Sequence, residues 1–171
     1  AYQAGGAILN LIASFQAEEA GEDAQAIGPP ENVGPPDDYP EAPTDLFFDH
    51  RIVRTQKNPV PEQFTWMRVD EDLGTDSMVH ACALAYMSDE DLLGVAALPH
   101  SHGGDWDTLM CASLDHAVWF HRPVLATEWL LFALSGHGVA NARGMAVARV
   151  FTESGEHVAT VAQEGLVRVR R

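Results

Sequence analysis

SMVHACALAYM, residues 77–87, is the stretch on which the fold turns. Its apolar residues recur at helical spacing, with Val79, Cys82, Ala83 and Tyr86 on one stripe and Ala81 and Ala85 filling other directions. A helix apolar nearly all round is a buried helix. Ser88, followed three residues later by Asp91, reads as a capping box opening a second helical stretch that ends near Pro99. On the N-terminal side, RIVRT (51–55) and FTWMRVD (64–70) have the composition of short strands.

Downstream the period changes from helical to alternating. In CASLDHAVWFHR (111–122), Leu114, His116, Val118 and Phe120 fall on one face, and Ser113, Asp115, Ala117, Trp119 and His121 on the other. EWLLFALS (128–135) and RGMAVARVF (143–151) follow, separated by the turn region Gly136-His137-Gly138. ESGE (153–156) makes a hairpin turn into HVATVAQEGLVRVR (157–170). Two strands, a buried helix and four strands joined by short connections describe an antiparallel sheet wrapped around one long helix, an α+β architecture.

The N-terminal part is different. GAILNLIASFQ (6–16) reads as a strand preceded by a turn at Gly5-Gly6. An acidic stretch over residues 17–45 then holds six of the ten prolines, a composition that packs poorly and marks a linker or a surface-hugging loop. Globular composition resumes at about Leu46 and continues to the end. A lone apolar strand ahead of such a linker exposes unpaired backbone and invites association.

The 171 residues carry a net charge of -15, and no Lys or Arg precedes Arg51. Such a balance argues against nucleic acid, whose phosphates require clustered cations. Arg122, Arg143, Arg149, Arg168, Arg170 and Arg171 give local positive potential where an anionic ligand is permitted. No apolar run is long enough to cross a bilayer, and the first residues lack the layout of a secretory leader. Cys82 and Cys111 lack CxxC spacing and read as free thiols of a reducing cytoplasm.

Several of these runs, taken together and in order, carry a resemblance. LDHAVWFHRP, EWLLF, ARG, F-x3-G-x2-VA and QEGLVR, all within residues 113–171, resemble the type II acyl-CoA thioesterases. Upstream, LAYMSDEDLL (84–93) resembles the end of that family's buried helix, and ASFQAEEAG (13–21) the strand that closes its first domain. The resemblance implies a hotdog fold and hydrolysis of acyl-CoA to fatty acid and coenzyme A, with no cofactor and no metal. Members of the family carry two hotdog domains in one polypeptide. Residues 1–16 are then expected to be the terminal strand of a first hotdog, 17–45 the linker, and 46–171 the C-terminal hotdog. On that expectation the chain is a cleavage product, a truncated chain or one of two that assemble, and it pairs with the other half or with itself.

The resemblance also implies a site. In the family an Asp, a Thr or Ser, and a Gln hold and activate the attacking water, and by motif these are Asp89, Ser113 and Gln163. Read without the resemblance, Asp89 is an ordinary capping acid in the first turn of a helix, and Gln163 an edge-strand amide reaching solvent. Gln163 does, however, share its strand face with Ala159, Val161 and Val167, where a buried amide needs partners. No Cys or Ser here has a recognisable activating base, which favours direct attack by water over an acyl-enzyme.

The other polar motifs fit less well. His100, His102, His116 and His121 do not make a closed zinc ligand set, and His116 and His121 fall on opposite faces by parity. Asp115-His116 looks like part of a triad, but no GxSxG elbow accompanies it, so the pair reads as scaffold. Gly103-Gly104 lacks a phosphate-binding pattern. Two competing functions remain: a hotdog hydratase, disfavoured because the helix carries only His80 and no Asn-Pro, and a catalytically incomplete partner subunit.

Overall fold

The computed structural model describes residues 2–7, 9–17, 19–43 and 46–170. Ala1, Ile8, Glu18, Thr44, Asp45 and Arg171, which fall within the expected first strand, linker and C-terminal domain, lie outside the described residues.

Seven strands form one antiparallel sheet: β3 (Phe48–Gln56), β4 (Glu62–Val69), β5 (Leu109–Ser113), β6 (Ala117–Phe120), β7 (Leu130–Ala140), β8 (Arg143–Thr152) and β9 (His157–Val169). A short hairpin of β1 (Tyr2–Gln3) and β2 (Gly6–Ala7) stands apart from it. The strand order is β3-β4-β7-β8-β9-β5, and β6 also pairs with β9. Helices α1 (Ser77–Met87) and α2 (Leu92–Ala97) lie between β4 and β5 in sequence. The result is the α+β arrangement implied by the sequence, a sheet curled about helix.

Both helical stretches read from the sequence form, and the turn between them at 88–91 holds Asp91 at a positive φ of 50°. Ser88 and Asp91, however, do not form a capping box. The Ser88 hydroxyl donates to Ala85 O at 2.9 Å, closing α1, and the Asp91 side chain makes no cap bond to α2. The buried stripe of α1 is His80, Leu84 and Met87, while Val79, Cys82 and Tyr86 of the expected stripe are exposed. Sequence pattern showed that α1 is apolar all round. Only one side meets the sheet.

Leu84, Met87, Leu92, Val95 and Ala96 pack against Phe132, Leu134, Ala146, Ala148, Val150 and Val161 in the main core. Burying each such Leu or Phe side chain contributes roughly 1.5–3 kcal/mol. Glycine sets how close α2 can come. A Cβ at Gly136 would lie 2.6 Å from Val95 O, and one at Gly144 would lie 2.8 Å from Ala96 O. These glycines let β7 and β8 touch the helix backbone directly, which seats the 88–91 bend over the sheet.

The opposite face of the sheet holds a second cluster of Phe64, Trp66, Leu131, Ala133 and Phe151. The acidic linker covers it. Val33 and Tyr39 pack onto that cluster, Trp66 Nε1 donates to Gly34 O at 3.1 Å, and Arg51 donates to Pro36 O and Asp37. Further up, Gln25 donates to Gly155 O and accepts from His157 N, and Arg122 pairs with Asp23. The Pro-rich stretch is therefore a strap bound to the outer face.

Of the strand expected over residues 6–16, Gly6–Ala7 alone is in a strand among the described residues. Beyond Ala7, the described residues 9–17 lie outside any helix or strand, with Leu11, Ile12 and Phe15 exposed. Among the described residues no strand ladder includes this stretch, and without a ladder an apolar run is not a strand.

Candidate active site

The site begins with an interruption. β5 pairs with β9 up to Ser113↔Gly165, and β6 resumes at Ala117↔Ala162. Residues 114–116 bulge out between the two ladders, so the alternation read across 111–122 breaks there. The bulge is pinned from both sides: Leu114 N donates to Glu164 O at 2.9 Å, and Asp115 Oδ1 accepts from Glu164 N at 2.9 Å. Next to it on β9, Gln163 points to the helix side and is 1% exposed.

The three residues named from the resemblance meet there. Gln163 Nε2 donates to Asp89 Oδ1 and also to Ser113 Oγ, the latter at 3.0 Å. They come from three places, the bend after α1, the end of β5 and the middle of β9. A single buried amide joins them. Because Ser113 Oγ accepts from Gln163, its own proton remains to be donated elsewhere. Asp89 has a side chain 60% exposed, and Ser113 is exposed as well, so solvent reaches both.

His116, read above as scaffold, is a fourth member. Its Nε2 lies 2.8 Å from Ser88 Oγ and its Nδ1 lies 3.8 Å from Asp89 Oδ1. Burial pushes this imidazole below the ordinary histidine value, with Asp89 and Asp115 opposing the shift. Two atoms of the cluster are buried with no hydrogen-bond partner, His116 Nδ1 and Gln163 Oε1. Parity hid His116, because parity assumes an unbroken strand. Asp115 behaves as scaffold, holding the Glu164 amide.

Across the bend a second polar group forms. His50 Nε2 lies 2.9 Å from Asp91 Oδ2, to which Thr65 Oγ1 also donates at 3.1 Å. Gln63 donates to Thr65, and Thr55 donates to Gln63. Burial alone would lower the His50 pKa, but the bond to Asp91 and the charges of Asp91 and Glu90 raise it. Glu90, between the two acids, is raised by burial, with Asp91 and Asp89 adding to the shift and His50 opposing it. Nothing in the sequence pattern signals this network, whose members lie far apart in the chain.

His80, His100, His121 and His157 are engaged elsewhere. His80 Nδ1 accepts from Ala126 N at 3.1 Å and its Nε2 lies 3.0 Å from Gly74 O, so backbone occupies both nitrogens. His121 bonds Thr160 and packs on His157, and His100 accepts from His102 N.

A seven-stranded sheet curled about a broken helix, with a polar cluster where the helix breaks, defines a hotdog domain. Residues 45–166 match the model of the acyl-CoA thioesterase family, and the chain belongs to that family. It is 32% identical over 185 residues to acyl-CoA thioesterase 2 of Haemophilus influenzae, a match covering 94% of this chain and 64% of that protein. The crystal structure of an acyl-CoA thioesterase II from Mycobacterium marinum is similar at 38% identity with a TM-score of 0.78, covering 91% of this chain and 60% of that one. A hot dog fold protein of unknown function from Alicyclobacillus acidocaldarius shares the fold at 17% identity and a TM-score of 0.62, over 91% of this chain and 60% of that one. This chain thus spans less than two thirds of the length of each of these relatives.

Proposed function

We propose that this chain hydrolyses acyl-coenzyme A, with Asp89 as general base and Ser113 and Gln163 holding the attacking water. The observation that carries this is the Gln163 amide donating at once to Asp89 and to Ser113. Thioester hydrolysis needs a positioned water and a base for its proton. Ser113 supplies a free hydroxyl proton beside an accessible carboxylate, and the Gln163 amide holds both. The substrate class follows from the family, whose members named above are acyl-CoA thioesterases. Arg168 and Arg170 line an open groove with Met110, Val139 and Val169, which suits the anionic end of coenzyme A. The reaction uses no cofactor on this reading, and free Cys82 and Cys111 suit a reducing cytoplasm. Among the described residues no helix is long and apolar enough to cross a membrane.

The second reading, in which the chain works only with a partner, also has a specific observation behind it. Phe47, Met78, Val79 and Tyr86 are exposed along the outer side of α1, with the Phe47 and Tyr86 rings stacked 4.7 Å apart. An exposed apolar patch beside a reactive carboxylate is what a second hotdog unit, from this chain or another, would cover.

Release of coenzyme A thiol by the purified chain, measured against protein concentration, tests both readings. Activity at every concentration, lost in Asp89→Asn, supports a self-sufficient enzyme. Activity that rises with concentration and is lost in Tyr86→Glu supports pairing. Full turnover in Asp89→Asn would remove Asp89 as the base.

A further inference from the structure

We propose that His116 shares with Asp89 the proton taken from the attacking water and returns it, through Asp89, to the departing sulfur, so that it acts as a positioning residue for the base. This rests on the reading of Asp89 given above.

Ser88 has one hydroxyl proton, and Ala85 O at 2.9 Å and His116 Nε2 at 2.8 Å both lie within its reach. Given to Ala85 O, it leaves the Ser88 oxygen to accept from His116, and Nε2 then carries the ring hydrogen. In the neutral imidazole, Nδ1 then holds a lone pair. That atom is buried, has no hydrogen-bond partner and lies 3.8 Å from Asp89 Oδ1. A buried unpaired acceptor carries a cost that structure alone does not explain. A proton placed between Nδ1 and Oδ1 removes it once the Asp89 carboxylate, more than half exposed, turns towards the ring while keeping its bond from Gln163.

The position is built for this. Asp115 locks the bulge to Glu164, Ser113 on one side of it touches Gln163, and His116 on the other reaches Ser88 at the end of α1. One short run thus sets the hydroxyl and the imidazole on either side of the same carboxylate. The charged groups facing His116 are Asp89 from the bend and Asp115 from its own run, both favouring protonation, while burial opposes it. Burial thus favours the neutral ring, which can accept at Nδ1.

The step balances. Water loses one proton to Asp89 Oδ1 as its oxygen bonds the thioester carbon and the carbonyl pair moves to oxygen. His116 Nδ1 takes up the proton or shares it. Collapse restores the carbonyl and breaks the carbon–sulfur bond, with the pair leaving on sulfur. The proton returns through Asp89 to that sulfur, giving thiol and carboxylic acid with Asp89 and His116 as they began.

The test uses His116→Gln, whose Nε2 keeps a donor for Ser88 while Nδ1 is lost. In the active protein kcat is expected to fall about 10²-fold with KM little changed, and to fall further for poorer thiol leaving groups. Wild-type kcat and pH profile in this variant would make His116 scaffold and overturn the proposal. A second measurement needs no turnover: ring 15N shifts of His116 in the intact chain. An Nε2–H tautomer whose titration moves to lower pH in Asp89→Asn is expected. An Nδ1–H tautomer, or a titration untouched by Asp89→Asn, would overturn the coupling. Full activity in Asp89→Asn would instead sink the underlying assignment of the base.

Discussion

Asp89 and Asp91 stand two residues apart on one bend and meet opposite fates. Asp91 turns towards β3 and β4, where its side chain is 14% exposed, and it bonds His50 and ends an unbroken chain through Thr65, Gln63 and Thr55. Asp89 turns towards β5 and β9, stays 60% exposed, and sits among partners with unused capacity, His116 Nδ1 and Gln163 Oε1. A buried polar group with every bond made rigidifies its surroundings. One with bonds left over has somewhere to put a substrate, a water or a proton. On this view the Asp91 side anchors the bend so that the Asp89 side can react.

Perturbing the two sides separately should separate activity from stability. The largest effect is expected from Asp89→Asn, which should lower turnover by about 10²–10⁴-fold while leaving the melting curve in place; thiol release and calorimetry check both. Gln163→Leu should lose turnover nearly as completely. Its stability should match or exceed the parent's, because an apolar side chain of similar size replaces a buried amide with one unpaired atom. Equal activity in that variant would break the link between amide and base.

On the other side, Asp91→Ala takes the Asp91 partner from His50 and the acceptor from the Thr65 hydroxyl proton in a largely buried site. It should cost about 3 kcal/mol by denaturant titration, with turnover per folded molecule retained. Asp91→Asn keeps an acceptor and tolerates the left-handed backbone, so it should cost only about 1 kcal/mol.

The smallest effects are those of pH, and the two histidines differ in sign. His50 has its pKa raised in the folded state, so its stabilisation is complete below the unfolded value of 6.5 and fades as pH rises through the native value. His116 has its pKa lowered, so its contribution is present above 6.5 and is lost as pH falls towards the native value. Denaturant midpoints across this range should show the gap between parent and His50→Gln narrowing as pH rises, and that between parent and His116→Gln narrowing as pH falls.

The sequence made the fold readable where local period and burial agree. The strands β7, β8 and β9 alternate or run apolar as their two buried faces require, and Gln163 stood out as an amide in an apolar row. Ser113 and Asp89 were reachable only through the motif resemblance, since each alone suits an ordinary strand end or helix turn. A break after Met87 was legible as the start of a second helical stretch, but its geometry was not, because it depends on Ser88 bonding Ala85 and His116, and Asp91 bonding residues of β3 and β4. His116 was lost to an assumption of continuous alternation that the bulge at 114–116 violates. The exposed side of α1 was misjudged because an apolar surface does not say what covers it.

The most direct measurement is coenzyme A thiol release from an acyl-CoA by the parent, Asp89→Asn and Asp91→Asn, each normalised to folded protein by circular dichroism at the assay temperature. Asp91→Asn is expected to turn over at close to the parent's rate, and Asp89→Asn at about a hundredth of it or less. Equal rates in Asp89→Asn and the parent, or loss confined to a folded Asp91→Asn, would contradict the assignment of the reactive acid.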